Sequence, residues 1–350
     1  MKKVGFEEIK KFIVENVAEH PKDITILTAN NFSITRQAVL RHINKLILDG
    51  TLRVEGKTKD RAYFLAPIIE KVFGFNITPD FSEDKVWREN VRPLFKDVAP
   101  NVLGICQYGF TEMLNNAIDH SEGDKVTVLV TFWPSQLMLQ IVDNGIGIFK
   151  NIQTKLGLDD ERHAVLELSK GKLTTDPVQH TGEGIFFTSR MFDTFIINSD
   201  SLALLCTNGE DWLLEQDKSR PKGTTIVMQI SPYSTRTSQS IFDQYTNMND
   251  EFGFAKTIIP VKLSRYGDEN LVSRSQAKRL LARIDRFREV VFDFKDVEMI
   301  GQAFADEVFR VFQNQNPQIH LMWSNTNQQV ERMILHALNQ PAQDNSGYAG

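Results

Sequence analysis

A helical period dominates the centre of the chain. Apolar residues recur every three or four positions from Leu103 to Ile118, which predicts a helix with one buried face that begins near Pro100. Two alternating runs, Lys125–Trp133 and Gln136–Val142, follow and meet at a Pro-Ser turn. A long helix packed against a strand hairpin is therefore predicted here.

Further alternating runs extend this unit, which we place at residues 67–235. A helix interrupted by Pro93 is predicted over Phe81–Lys96, and a second one over Ile185–Phe192. Residues 149–181 are polar, with one short helical pattern. Four later strands are predicted at Thr194–Asn198, Ser201–Cys206, Trp212–Glu215 and Thr224–Ile230. The expected result is one mixed sheet with helices on one face.

Residues 1–66 have a pattern of their own. Three amphipathic segments precede two short strands that flank a Gly-Lys-Thr-Lys-Asp hairpin tip. The predicted helices and strands are Phe6–Glu19, Asp23–Asn30, Arg36–Asp49, Thr51–Glu55 and Arg61–Leu65. This order resembles the winged helix-turn-helix, which either binds DNA or serves protein contacts.

Strands and helices alternate again in residues 255–338, which predicts a small α/β domain. Residues 236–254 are polar and are predicted to be a connector, and residues 339–350 a disordered tail. The run from Val291 to Gly301 resembles STAS-type domains, where the next helix begins with a phosphorylatable serine. Here that helix begins Ile-Gly-Gln-Ala-Phe-Ala, so a phosphoacceptor is not expected. The predicted fold class is thus α/β, in the sense of an α+β multi-domain chain.

Candidate chemistry is concentrated on the central helix and after the strand that follows it. Glu112 and Asn116 are four residues apart, so they lie on one stripe of the helix, which Asp119 and His120 continue. A carboxylate and a carboxamide one turn apart suit a water molecule and Mg²⁺, which prefers oxygen ligands. Asp143 ends the strand and can accept a hydrogen bond from an exocyclic amine.

Taken together, these segments resemble the ATP-binding fold shared by gyrase, MutL and sensor histidine kinases (GHKL). Glu-x-x-x-Asn is followed by Asp-x-Gly-x-Gly, and then by Gly-Glu-Gly before a helix and Gly-Thr-Thr before a strand. The resemblance implies ATP and Mg²⁺ as cofactors, with Glu112 as general base and Asn116 as magnesium ligand. It also implies nucleotide-binding roles for Asn116, Asp119, His120, Asp143, Gly145, Gly147, Gly182, Gly184 and Thr224. In the family, the position of residues 149–181 is a flexible lid over the nucleotide, so the resemblance implies that Lys170, Lys172 and His180 reach towards phosphates.

Within this family the chain is most similar to the anti-sigma-factor serine kinases. Gyrase, MutL and these kinases carry Glu where Glu112 stands, whereas histidine kinases usually carry Asn. The sequence Glu-x-x-x-Asn-Ala-Ile-x-His is most similar to that of the serine kinases. None of the seven histidines is followed by an acidic residue, which is the usual pattern at a phosphoacceptor histidine. Histidine autophosphorylation is therefore not expected.

The charge of the chain is uneven. The net charge is -5, so the whole chain is not expected to bind nucleic acid, yet residues 36–61 contain seven basic and three acidic residues. A helix start in the major groove and a basic hairpin on phosphates would use these side chains. The predicted DNA-binding residues are Thr35, Arg36, Gln37, Arg41, Lys57, Lys59 and Arg61.

Three functions remain open on these observations. The first is a cytoplasmic ATP-binding regulator, which by resemblance hydrolyses ATP and which is coupled to DNA or a partner and to the STAS-like domain. The second is a serine/threonine kinase acting on a separate protein, and the third is an ATP-responsive transcription factor without turnover. Two isolated cysteines and the lack of an apolar stretch of membrane-spanning or signal-peptide length suggest the cytoplasm and no membrane partner.

Overall fold

The chain forms three sheets, of two, seven and three strands, in the part that the structure describes. A computed structural model describes residues 5–57, 60–96, 98–173, 182–215, 222–246, 254–265 and 269–339. Lys59 and His180, two of the residues predicted to contact phosphates, lie outside these ranges. The overall architecture is the mixed α/β organisation that the sequence predicts.

The N-terminal unit has three helices and a two-stranded antiparallel sheet, with a hydrophobic core of its own. The elements are α1 (Phe6–Asn16), α2 (Ile24–Phe32), α3 (Arg36–Leu48), β1 (Leu52–Glu55) and β2 (Ala62–Leu65). Thr35 caps α3 by accepting a hydrogen bond from the backbone N–H of Ala38 at 3.2 Å. Val39, Ile43 and Leu46 turn the apolar face of α3 into the core.

The seven-stranded sheet has the order β3-β4-β5-β9-β6-β7-β8. Its strands are β3 (Ile69–Asn76), β4 (Lys125–Phe132), β5 (Leu137–Asp143), β6 (Thr194–Ser199), β7 (Leu202–Thr207), β8 (Glu210–Glu215) and β9 (Thr224–Ile230). Every ladder described in it is antiparallel, so the prediction of a mixed sheet is wrong. The reason is that β9 lies between β5 and β6, two strands that point the same way and are kept apart by it.

Helices pack on one face of this sheet. They are α4 (Glu83–Val86, extended by further helical turns to Leu94), α5 (Pro100–His120), α6 (Ile148–Leu156), α7 (Glu161–Lys170) and α8 (Gly184–Met191). Alternate residues of β5 are buried against them, namely Leu137, Leu139, Ile141 and Asp143. The alternation therefore places a carboxylate, Asp143, at the helix-covered end of the strand.

The segment predicted to be a polar lid is in large part structured. Residues 148–156 and 161–170 form α6 and α7, and all residues from Ala164 to Lys170 are buried. Lys170 is 1% exposed and donates to Glu167, so it is not a mobile cation near phosphates. Lys172 packs over the rings of Phe254 and Phe287 instead. The sequence pattern missed this burial because the covering residues come from a later part of the chain.

The segment predicted to be a connector contains a helix, α9 (Ser238–Tyr245). Thr237 and Ser240 form a reciprocal capping box at its start. Ile241 and Tyr245 are buried, and Tyr245 joins an aromatic cluster with Phe186 and Phe254. Polar composition hid a helix that has only a narrow apolar face.

The C-terminal unit is a three-stranded parallel sheet with helices around it. Its strands are β10 (Lys256–Pro260), β11 (Glu289–Asp293) and β12 (His320–Ser324), paired in that order. Its helices are α10 (Arg274–Leu281), α11 (Gln302–Ala305, continued to Gln315 by a π turn and α12, Gln313–Gln315) and α13 (Gln328–Leu338). Its buried residues are continuous with the core under the seven-stranded sheet. The alternation of strands and helices follows the predicted order.

Two glycines of α5 give a matched test of this packing. A Cβ at Gly109 would lie 2.5 Å from Phe192 Cε2, whereas a Cβ at the exposed Gly104 meets no atom within 4 Å. Both Gly→Ala changes gain the same helix propensity, so we expect Gly109→Ala to be less stable than Gly104→Ala by roughly 1–3 kcal/mol. Urea unfolding measures the difference, and equal midpoints would contradict close packing of α5 on α8.

Candidate functional site

A cavity of about 270 Å³ opens between α5, the ends of β5 and β9, and the start of α8. Small-molecule sites usually enclose roughly 300–1,000 Å³, so this space is near the lower end of that range. Seven of the predicted site residues line it: Glu112, Asn116, His120, Asp143, Gly182, Gly184 and Thr224. Residues from four distant parts of the sequence thus meet around one cavity.

Three predicted residues are not part of the cavity lining. Asp119 is exposed at the end of α5. A Cβ at Gly145 would overlap the carbonyl oxygen of Ser121, and one at Gly147 would lie 2.5 Å from Ser199 Oγ. These glycines therefore allow protein segments to approach each other, and the nucleotide-binding role expected for them has no support in the cavity lining.

Asp143 is the buried carboxylate of the cavity, with 6% of its surface exposed. Its Oδ1 accepts hydrogen bonds from the backbone N–H groups of Gly145 at 2.9 Å and Thr224 at 3.1 Å. Burial raises the pKa of Asp143 above its usual range, although these hydrogen bonds act in the opposite direction. One oxygen is thus fixed by the backbone, which orients the carboxyl group as an acceptor.

The hydroxyl of Thr224, the first residue of β9, contacts the start of α6. Its Oγ1 accepts a hydrogen bond from the N–H of Ile148 at 3.0 Å, at the first residue of α6. Thr224 is itself only 7% exposed. Because its backbone N–H also binds Asp143, this residue fixes both the carboxylate and the helix start beside it.

Glu112 and Asn116 lie on the wall formed by α5, where the helix passes the start of α8. A Cβ at Gly184 would overlap Glu112 Oε2, so the absence of a side chain at Gly184 leaves room for the glutamate carboxylate. The first turn of a helix has backbone N–H groups without partners inside the helix, so the start of α8 favours an anion at this wall. An acid, a carboxamide and a helix start therefore share one end of the cavity.

The apolar walls of the cavity were not predicted from the sequence. Met113, Ile141, Ile148 and Ile226 contribute to them. Ile141 and Ile226 are cross-strand partners in the pairing of β5 with β9, two residues away from Asp143 and Thr224 respectively. The alternation along each strand predicts that Ile141 and Asp143 share one face of β5, and that Ile226 and Thr224 share one face of β9. That these two faces adjoin follows only from the pairing of β5 with β9.

Asn151 is a polar lining residue that the sequence reasoning also missed. It is 4% exposed, and its Nδ2 donates to the backbone carbonyl of His120 at 2.6 Å. This bond ties α6 to the end of α5, next to the cavity. The sequence feature that could have indicated Asn151 is a carboxamide on the apolar side of an amphipathic helix.

The predicted DNA-binding side chains fall into two groups. Exposed residues at the start of α3 are Thr35, Arg36, Gln37 and Arg41, and exposed residues around the β1–β2 hairpin are Lys57 and Arg61. Thr35 also has the structural role of capping α3. The structure leaves the four α3 side chains on the outer surface of the helix.

Comparison with known families supports the C-terminal prediction. A family model described as a STAS-like domain of unknown function (DUF4325) matches residues 276–331. This range runs from α10 into α13, so the resemblance to STAS-type domains is confirmed. No curated protein matches the chain.

The described residues include neither a membrane-spanning helix nor a cluster of metal-ligating side chains. No helix there is long and apolar enough to cross a membrane. No group of three or more His, Cys, Asp or Glu side chains in the same ranges has the arrangement of a metal site.

Proposed function

We propose that the chain is an ATP-binding regulator whose cavity takes Mg-ATP and turns it over. The observation that carries this proposal is the buried Asp143 carboxylate between apolar walls, one oxygen of which is fixed by two backbone N–H groups. A flat purine ring suits the apolar walls, and its exocyclic amine suits an oriented buried acceptor. The GHKL-like order of the sequence boxes supports the same assignment.

The part of the cavity beside Glu112 and the start of α8 suits the phosphates. Gly182 and Gly184 line the cavity, and the start of α8 favours negative charge. Glu112 would orient the attacking water or hydroxyl group near the γ-phosphate and take up its proton. The γ-phosphoryl group then passes to that oxygen, and ADP leaves.

The side chains present fit a magnesium ion in this role. Mg²⁺ usually binds through one or two protein oxygens together with phosphate oxygens and water, and Asn116 offers one such oxygen on the cavity wall. When bound, the ion would neutralise charge on the phosphates. Asn116 and Glu112 share one stripe of α5, which keeps the ligand and the base on the same side of the phosphates.

Equilibrium titration of the intact chain with Mg-ATP tests the proposal, with Mg-GTP as the comparison. We expect one saturable site and a preference for ATP, because guanine carries a carbonyl oxygen where adenine carries the amine that Asp143 would accept. A folded chain that binds neither nucleotide, or both equally, would contradict the assigned role of Asp143.

The alternative hypothesis of a protein kinase uses the same site and differs only in the group that accepts the phosphoryl group. Phosphoryl transfer to a serine or threonine of a separate protein would use the same Glu112 and the same nucleotide geometry. The STAS-like unit, which lacks a serine at the start of α11, would then contact partners without being the phosphoacceptor. The fate of the γ-phosphate separates the two readings.

We also propose that the N-terminal unit binds duplex DNA. The exposed face at the start of α3 combines Arg36, Gln37 and Arg41, side chains that contact phosphates and base edges. Lys57 and Arg61 would meet the backbone from the adjacent hairpin. A protein-contact role for the same surface is the alternative.

Replacing Arg36 and Arg41 together by alanine tests this surface. We expect the affinity for a mixed-sequence duplex at low salt to fall by roughly 10-fold or more, and the salt dependence to become shallower. Lys11→Ala on α1 is the matched control, because Lys11 is exposed and lies outside the proposed surface. Fluorescence anisotropy measures both; wild-type affinity in the double variant would contradict DNA binding by α3.

A further inference from the structure

One short segment runs from the wall of the cavity to the STAS-like unit and back. Leu168 and Leu173 line the cavity, and the intervening Lys170 is buried against α10. The N–H of Leu173 then donates to the carbonyl oxygen of Gly182, another lining residue, at 3.0 Å. The segment 167–173, here called the bridge segment, therefore belongs to both places.

Lys170 fixes the bridge segment to the end of α10. Its Nζ donates to the carbonyl oxygens of Arg279 at 3.1 Å and Ala282 at 2.9 Å, and to Glu167 Oε1 at 2.6 Å. A cation at the last carbonyls of a helix is favourable, because these groups have no partners within the helix. The ammonium group of Lys170 thus exchanges water for protein oxygens. Two of these oxygens belong to the end of α10, so the contacts require the bridge segment and α10 to keep their relative position.

Other charges surround this contact on both units. Glu167 is 2% exposed and lies 3.5 Å from both His163 Nε2 and Arg283 Nη1. Burial alone would raise the pKa of Glu167, but the neighbouring His163, Lys170 and Arg283 lower it overall. The carboxylate thus stays ionised between cations from α7 and from the end of α10.

Backbone contacts make the attachment two-sided. Thr257, on β10, donates from Oγ1 to the carbonyl oxygen of Lys170 at 2.7 Å, and it is fully buried. The carbonyl oxygen of Lys172 accepts from Arg286 Nη1 at 2.8 Å. A Cβ at Gly171 would lie 2.7 Å from Phe254 Cε1, so the chain passes close against this ring. The bridge segment has little freedom to shift alone.

From these contacts we infer that nucleotide occupancy and the conformation of α10 are energetically linked through the bridge segment. The inference rests on the proposed function, because it makes the STAS-like unit a regulator of that same nucleotide site. A ligand that orders Leu168, Leu173 and Gly182 also orders Lys170, which holds the last turn of α10. Linkage is reciprocal, so a protein bound at α10 changes the affinity for nucleotide by the same factor.

Amide hydrogen exchange of the intact chain, with and without a non-hydrolysable Mg-ATP analogue, tests the linkage. In the wild type we expect exchange to slow in the cavity region, residues 137–156, and also in residues 274–283 of α10. Coupling of the usual size corresponds to a change of roughly 5-fold or more in α10. Lys170→Met is expected to keep the slowing in the cavity and to lose it in α10.

Two further variants make the result specific. Lys278→Met, an exposed lysine on α10, is the matched control and should respond as the wild type does. Thr257→Val removes the hydroxyl that donates to the carbonyl oxygen of Lys170. It should weaken the slowing of exchange in α10, and it provides the test if Lys170→Met does not fold. Slowing in the wild-type cavity without any change in α10 would overturn the linkage alone. Lack of slowing in both regions would overturn the proposed nucleotide site, and the linkage with it.

Discussion

Replacing Asp143 with asparagine is expected to weaken Mg-ATP binding by on the order of 100-fold. An asparagine Oδ1 can still accept the N–H groups of Gly145 and Thr224, so the local backbone should persist. The other side-chain atom becomes an NH₂ donor and would face the exocyclic amine of adenine, itself a donor. The variant thus loses a buried charge-assisted hydrogen bond, and the NH₂ of the asparagine and the amine of adenine face each other as two donors without an acceptor.

Calorimetric titration of wild type and Asp143→Asn measures this loss, with Asp285→Asn as an exposed matched control. The wild type should also bind ATP less well as the pH falls through the pKa of Asp143, because a proton on the oxygen that faces the amine would turn that oxygen into a donor. Burial raises that pKa, so the loss begins above the usual aspartate range. Wild-type affinity in Asp143→Asn, or affinity independent of pH, would show that Asp143 does not contact the nucleotide.

Removing the carboxylate of Glu112 should leave binding nearly unchanged and lower turnover by roughly 10²–10⁴-fold. Binding and turnover are expected to respond differently because a general base stabilises mainly the transition state. The apolar walls and Asp143, in contrast, contact the nucleotide already in the ground state. Gly184 leaves space for this carboxylate beside the start of α8, where the phosphates are proposed to lie. Glu112→Ala therefore tests catalysis separately from binding.

A single-turnover incubation with γ-labelled Mg-ATP measures this effect, with free phosphate and protein-bound label followed separately. Glu331→Ala, an exposed glutamate on α13, is the control. Free phosphate that disappears in Glu112→Ala identifies an ATPase, and label on a protein identifies a kinase. Equal turnover in wild type and Glu112→Ala would remove Glu112 from the role of general base.

The central helix and hairpin could be predicted because their periods are local properties of the sequence. Pro100 begins α5, and the alternation of apolar and polar residues defines β5. These two predictions place Glu112 and Asn116 on the helix and Asp143 at the end of the strand. The contact between Asp143 and Thr224 joins residues 81 positions apart and depends on β9 pairing with β5. Strand order is a tertiary property, and alternation along single strands does not determine it.

The largest errors concern residues whose burial depends on another unit. Lys170 is charged and lies in a polar stretch, which is typical of a solvated loop. In the folded chain Glu167 and the carbonyl oxygens at the end of α10 compensate its charge, so it is buried. Only a structure containing the STAS-like unit could reveal this arrangement.

Photoaffinity labelling with 8-azido-ATP tests the central claim most directly, because it locates the nucleotide as well as detecting it. The intact chain is irradiated with Mg²⁺ present, with and without excess unlabelled ATP, and the labelled peptides are identified by mass spectrometry. We predict label that ATP displaces, confined to peptides from residues 141–152 and 224–226. Label that ATP does not displace, or displaceable label only outside the cavity lining, would contradict an ATP site in this cavity.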